Sequence, residues 1–243
     1  VTEDNAAGPG APAHHRPIRS FVRREGRMTV GQQTALDDLL PRYGLDAGQP
    51  LDAAQCFGRV APLVFEIGFG VGDYLLARAG AQPQNDFIGV EVHRPGVGHL
   101  LSRVHAAKLT NVRVYSHDAV EVLDRCIADA ALDELVIQFP DPWHKKRHNK
   151  RRLVQPALAA RAVRVLKPGG RLLLATDWAD YAVQMVEVLN AEPRLRNLSA
   201  TADYVPKPPE RILTRFERRG ERLGHSVFDL AYERRDDTHT KQA

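Results

Sequence analysis

The sequence predicts an α/β fold, with a mostly parallel sheet carrying helices on both faces. Three observations predict it. From Pro62 onward short apolar runs alternate with stretches of helical periodicity; the first run opens into a glycine-rich turn and then a helix; and Leu166-Lys167-Pro168-Gly169-Gly170 stops a helix and starts another strand. The apolar runs are Leu63–Ile67, Phe87–Val92, Val112–Tyr115, Glu134–Phe139 and Arg171–Thr176. Helical spacing fills Asp73–Ala79, Gly96–Lys108 and Val154–Leu166 between them, and crossovers of that length are what parallel strands require. Ser226–Tyr232 alternates apolar and polar residues, as expected of a last strand that closes the sheet.

The segments outside this repeat have their own character. Residues 1–15 are rich in Ala, Gly and Pro and are expected to be a disordered tail. Residues 16–60 form a basic arm, an amphipathic helix over Gln32–Leu40 and a Pro/Gly-punctuated connection from Pro41 to Pro62, all packing on a core domain of residues 61–235. Residues 236–243 read as a flexible tail. At 243 residues, with 43% hydrophobic and 26% charged residues, one core is expected. The two cysteines, Cys56 and Cys126, lie far apart without a C-x-x-C pair, which argues against a zinc ribbon or a disulfide-stapled fold and for a reducing cytoplasm. No uncharged apolar run reaches the roughly 18 residues that cross a bilayer, and no signal peptide is legible, so neither membrane nor secretion is expected.

Gly68, Gly70 and Gly72 end the first strand in a turn that lets a ligand lie against backbone. A glycine turn alone is weak evidence, but acids follow it at successive strand ends. Glu66 lies in the first strand, Glu91 ends the second, 19 residues beyond Gly72, and Asp118, followed by Ala119, comes after the third. Glu91 is placed to accept both hydroxyls of a ribose and Asp118 an adenine amine. Glu66 lies where it would repel the pyrophosphate of a dinucleotide and attract the sulfonium and amino group of S-adenosylmethionine, so the electrostatic sign favours the methyl donor over NAD.

The fourth run ends in Pro140-Asp141-Pro142-Trp143, where two prolines restrict Asp141 and hold its carboxylate at the mouth of the same pocket. His144-Lys145-Lys146-Arg147-His148-Asn149-Lys150-Arg151-Arg152 follows, with six Lys or Arg and no acid. Residues 16–27 hold five Arg and one Glu, and 207–222 hold six basic residues and three acids, so a formal net charge of only +4 hides three basic clusters that point to nucleic acid. His144 and His148 have the spacing of a metal pair, but no third ligand is evident and the flanking cations repel a metal; none is expected.

These residues together make the chain resemble the bacterial tRNA (guanine-N7-)-methyltransferase family over nearly all of Arg16–Glu233. The resemblance rests on Arg16-Pro17-Ile18-Arg19-Ser20-Phe21 with Arg23 and Gly26, on Glu66–Gly70, Gly89–His93, Pro140–His148 and Thr176-Asp177-Trp178, and on Thr214-Arg215-Phe216-Glu217. It implies a Rossmann-like class I methyltransferase fold, a seven-stranded sheet with an antiparallel last strand. It also implies S-adenosylmethionine as cofactor and tRNA as partner, with a variable-loop guanine as target. Glu66, Gly68, Gly70, Gly72, Glu91, Asp118, Ala119 and Asp141 then belong to the cofactor site, and Asp141 also to the catalytic site. Lys145, Asp177, Thr214, Arg215, Phe216 and Glu217 belong to the substrate, and Lys146, Arg147, His148, Asn149, Lys150, Arg151 and Arg152 are read as RNA contacts.

Guanine N7 keeps a lone pair at neutral pH, so methylation needs no strong base. A carboxylate that grips the guanine N1–H and amine and offsets the emerging positive charge suffices, a role that suits Asp141 or Asp177, with Glu217 sharing the grip and Arg215 better suited to a phosphate. Thr214 and Glu217 equally have the spacing of a helix capping box. Trp143 and Trp178 fit either a base stack or the core. An adenine or amide methyltransferase would need a second proline after Asp141, where Asp141-Pro142-Trp143 has none. An inactive RNA-binding protein would have no need of the four acids. Either a monomer or a homodimer is compatible with the sequence.

Overall fold

A computed structural model of the chain describes residues 20–21, 27–209, 211–212 and 226–236. Seven strands form one sheet in the order β3-β2-β1-β4-β5-β7-β6. β1 (Leu63–Ile67), β2 (Asp86–Val90), β3 (Val112–Tyr115), β4 (Leu132–Gln138) and β5 (Leu166–Thr176) run parallel, while β7 (Phe228–Arg234) pairs antiparallel with β5 and with the short β6 (Leu195–Asn197). Parallel strands buried on both faces must be apolar on both, and β1 and β2 are buried at every position.

Alternate β1 residues feed two cores. Leu63, Phe65 and Ile67 pack with α5 (Ala119–Cys126), α6 (Pro156–Val165) and α7 (Ala179–Asn190). Val64 faces the other side, with α1 (Val30–Tyr43), α3 (Asp73–Ala81) and α4 (Arg94–Ala106). By the same period of two, Glu66 points toward the α3 side. The chain leaves β1 toward β2 and β3, then crosses back through α5 to β4 on the other side of β1. The C-terminal ends of β1 and β4 therefore flank a topological switch point, where α/β sheets hold their ligands.

Several boundaries differ from the sequence reading. α1 starts earlier than Gln32, because Thr29 and Gln32 form a capping box, and it passes through Pro41 to Tyr43. A proline in the last turn removes a single ladder bond, and burial of Tyr43 holds that turn to the core. Within the connection from Pro41 to Pro62 a short helix α2 (Ala53–Phe57) forms, capped by the Asp52 side chain and closed by Gly58 in the left-handed region. Lys167–Gly170 is not a break before the strand. Leu166 already pairs with Leu132, and the register shift between Leu132 and Glu134 absorbs the irregular Pro-Gly-Gly. The seventh strand that the resemblance implies is completed by β6, which the sequence does not locate because three residues are too few to show a period. No helix among the described residues is long and apolar enough to cross a membrane.

Candidate active site

All five parallel strands deliver polar residues to the same edge. The β1 turn is held open by Gly68, Gly70 and Gly72 at φ of 73°, 58° and 78°, a region that L side chains rarely adopt. Cβ atoms built at Gly68 and Gly70 would meet nothing within 4 Å, so the turn faces open space. Glu91 braces it: Oε2 accepts from Gly70 N at 2.9 Å, while Oε1 accepts from Val92 N and His93 N at 2.7 and 2.8 Å. Those amides fill three of the roughly four acceptor positions of a carboxylate. The expected two-hydroxyl grip on a ribose therefore narrows to one further bond, on Oε2. Asp118 caps α5, its Oδ1 accepting from Val120 N at 2.9 Å, so Ala119 begins a helix whose N-terminal amides face the same edge.

Glu66 is 3% exposed, and its Oε2 has no hydrogen-bond partner among the described residues. Burial, opposed by Arg78 and reinforced by Glu91, pushes its carboxyl up to about 8. An open buried acceptor of this kind calls for a donor, and a cationic group would return it to the ionised form. Together with the unobstructed glycine turn, this fits the sulfonium- and ammonium-bearing methyl donor that the sequence suggested, and it would not suit a pyrophosphate.

On the other side of the switch point, Phe139 and Trp143 bracket Pro140-Asp141-Pro142, both at φ 48°. Left-handed backbone at two bulky residues is strained, and such strain concentrates at functional sites. Phe139 N donates to Ala175 O at 2.8 Å, fixing the turn to the end of β5, where Asp177 follows buried Thr176. Asp141 is exposed and Asp177 half-buried. Trp143 Nε1 donates to Ser20 O at 3.1 Å, Arg151 lies over its ring at 4.5 Å, and His148 meets it edge-on. Trp178 packs edge-on with His144. Partial desolvation, then Arg147, Arg151, Lys145 and Lys150, holds His148 below the usual histidine range.

The basic run folds into a 3₁₀ helix over Lys146–Arg151. Lys145, Lys146, Arg147 and Lys150 are exposed, and His148, Asn149 and Arg151 half-buried. Arg152 departs from the expected phosphate contact: it is 3% exposed, and its guanidinium is committed to Pro142 O, Gln184 and Asp180. Among the described residues no cluster of three or more His, Cys, Asp or Glu could hold a metal.

Residues 60–230 match a family model described as "Putative methyltransferase". A protein from Ectopseudomonas mendocina (strain ymp) named tRNA (guanine-N(7)-)-methyltransferase is 59% identical over 222 residues, covering 91% of this chain and 93% of the relative. One of the same name from Stutzerimonas stutzeri (strain A1501) is 57% identical over 97% of this chain and 100% of the relative. The chain belongs to the tRNA (guanine-N7-)-methyltransferase family. Solved structures at lower identity share the fold. The 16S rRNA methyltransferase KamB matches with a TM-score of 0.55 and 17% identity over 77% of this chain and 95% of its own. A 16S rRNA (adenine(1408)-N(1))-methyltransferase mutant from Catenulisporales acidiphilia matches with a TM-score of 0.53 and 17% identity over 80% of this chain and 98% of its own.

For this member of the guanine-N7 family, Thr214, Arg215, Phe216 and Glu217 lie outside the described residues, as do 16–19 and 22–26 of the basic arm. The described residues before that gap end at the sheet edge. Arg211 is buried against Asp229 of β7, Nη2 to Oδ2 at 2.9 Å, and lies 6.0 Å from the Phe139 ring centroid. Sequence reasoning missed this pair and a second one below Glu66. There Arg78 donates to Glu134 and, at 2.9 Å, to the Tyr74 hydroxyl, all three buried. The signal was present in Tyr74 and Arg78 at i and i+4, and in Glu134 inside an apolar run.

Proposed function

We propose that this protein transfers a methyl group from S-adenosylmethionine to N7 of a guanine in cytoplasmic tRNA, with the variable loop as the target region. The observation that carries the reading is the convergence of Glu66, Glu91, Asp118, Asp141 and Asp177 on one edge of the sheet, beside an exposed basic 3₁₀ helix, in a chain of this family.

Glu66, the Gly68–Gly72 turn, Glu91 and the start of α5 would hold the cofactor, with Glu66 toward its cationic groups and Glu91 and Asp118 toward its nucleoside. When bound, it supplies an electrophilic methyl group carried on a sulfonium. Guanine N7 presents its lone pair without prior deprotonation, so the chain needs no general base at this step. Asp141, restricted between two prolines, and Asp177 on the neighbouring strand accept from the guanine N1–H and exocyclic amine. As N7 is alkylated the ring turns positive, and the same carboxylates stabilise that charge more than they stabilise the neutral base. Lys145, Lys146, Arg147 and Lys150 neutralise backbone phosphates and fix the register of the tRNA, and the Thr214–Glu217 segment completes the substrate side.

The decisive experiment incubates the protein with unmodified tRNA and a methyl-labelled donor, followed by nucleoside analysis. Labelled 7-methylguanosine is expected, and any other labelled nucleoside refutes the reading.

A further inference from the structure

The basic run ends on a residue that cannot reach a phosphate. Arg152 is 3% exposed although its neighbours Lys150 and Arg151 face solvent wholly or in part. A buried guanidinium is tolerated only when its donors are spoken for. Here Nε donates to Pro142 O at 2.8 Å, Nη1 to Gln184 Oε1 at 2.7 Å and Nη2 to Asp180 Oδ2 at 2.6 Å, with the Tyr181 ring centroid 4.8 Å from Cζ. The rigid fork of arginine suits three diverging acceptors in a way that a lysine ammonium on a flexible stem does not.

The partners are significant for where they stand. Pro142 is the residue after Asp141. Asp180, Tyr181 and Gln184 lie on the first turns of α7, directly behind Asp177 and Trp178. The same α7 face reaches past Arg152: Val154 N donates to the Tyr181 hydroxyl at 3.0 Å, and Gln184 Nε2 donates to Val154 O at 3.2 Å. One side chain thus joins the turn after β4 to the helix after β5, and anchors the C-terminal end of the phosphate-facing 3₁₀ helix to both.

We propose that Arg152 is a positioning residue: by tying the Asp141 turn to the start of α7 it sets the separation of Asp141 from Asp177 and the placement of the basic helix over them. The role assigned to those two carboxylates rests on the function proposed above. A misplacement of about 1 Å in a reacting pair is enough to lower turnover roughly a hundredfold, so the tie acts on kcat rather than on tRNA affinity.

The test compares wild type with Arg152→Lys and with Asp180→Ala/Gln184→Ala, which removes the α7 acceptors and leaves the arginine in place. Both variants should lose roughly 10- to 100-fold in kcat at saturating tRNA and cofactor. KM for tRNA and the salt dependence of its binding should stay within twofold. In Arg152→Gln, which removes the charge, a raised KM with unchanged kcat and a salt slope flatter by about 0.7–0.9 would mean that Arg152 is a phosphate contact after all and would overturn the proposal. Unchanged kcat in both variants would overturn it equally. If Arg152→Lys does not fold, the α7 variant alone decides. A readout independent of activity is hydrogen exchange of the amides in 139–145 and 177–182. Exchange should rise at least tenfold in those two segments while β1 and α3 stay protected. Unchanged exchange there, or a uniform rise through the whole chain, refutes positioning. If wild type makes no 7-methylguanosine the proposed function falls, and the exchange result still judges the tie.

Discussion

Replacing Glu66 with glutamine keeps the shape of the side chain and removes its ability to ionise. In the folded protein without cofactor the Glu66 carboxyl is pushed from an ordinary 4.5 up to about 8, first by burial. Between those pH values the native state holds a proton that the unfolded chain has released, so stability falls as pH rises across the interval. At roughly 1.36 kcal/mol per pH unit the whole interval amounts to about 5 kcal/mol. Glu66→Gln should therefore match wild type near pH 5 and exceed it by several kcal/mol at pH 8.5 in urea unfolding without cofactor. Binding should move the other way. A cation placed beside Glu66 favours its charged form, so wild type should release about 0.9 proton per S-adenosylmethionine bound at pH 7. Its affinity should rise close to tenfold per pH unit between about pH 5.5 and 6.5, where an α-amino group with a midpoint of roughly 7.7 still keeps nearly all of its own charge. Calorimetry in two buffers of different ionisation heat counts the protons. The glutamine variant should release none and should bind roughly 10- to 100-fold more weakly, the loss of a charge-assisted bond worth about 1.5–3 kcal/mol. Equal proton counts in the two proteins, or a wild type more stable than the variant at pH 8.5, would refute the account of Glu66.

Three further outcomes follow from other parts of the site. Asp141→Ala should lower turnover roughly a hundredfold or more while tRNA binding and the unfolding midpoint change little, and near-normal rates would remove Asp141 from the mechanism. Lys146→Ala with Arg147→Ala should reduce the slope of log affinity for tRNA against log salt by about 1.5, the share of two phosphates; an unchanged slope would place the RNA elsewhere. Arg78→Met leaves buried Glu134 with only the half-exposed Arg171, at 3.2 Å, and removes the positive charge that holds Glu66 down, so it should destabilise the fold by about 1.5–3 kcal/mol in urea, and a loss under 1 kcal/mol would show that Arg171 and solvent compensate the carboxylate.

What the sequence disclosed follows from the kind of information each feature carries. Strands of a parallel sheet read as mostly apolar runs, so Leu63–Ile67, buried throughout, and Val112–Tyr115, an edge strand interrupted only by half-buried Arg113, are legible to the residue. The acids at strand ends are legible because the glycine turn marks which end of the sheet binds, and the parallel order brings every later strand to that end. Short elements are not: α2 and β6 owe their existence to a cap and to a neighbouring strand rather than to any period of their own.

Charge was the least readable property, because a sequence shows that an arginine is present and not where it points. Nine consecutive residues, His144 to Arg152, look alike as a phosphate surface, yet the last turns inward. The cause is tertiary: the run ends where the chain must re-enter the core at Val154, itself fully buried, and α7 offers acceptors at Asp180 and Gln184 on that path. Arg78 repeats the pattern on the opposite face of the sheet. Its position on α3 carries it inward toward Glu134, whose other oxygen takes Arg171, and the same Arg78 also limits how far burial can raise Glu66. In both places an arginine that reads as surface charge supports a carboxylate at the binding edge, Asp141 in one case and Glu66 in the other.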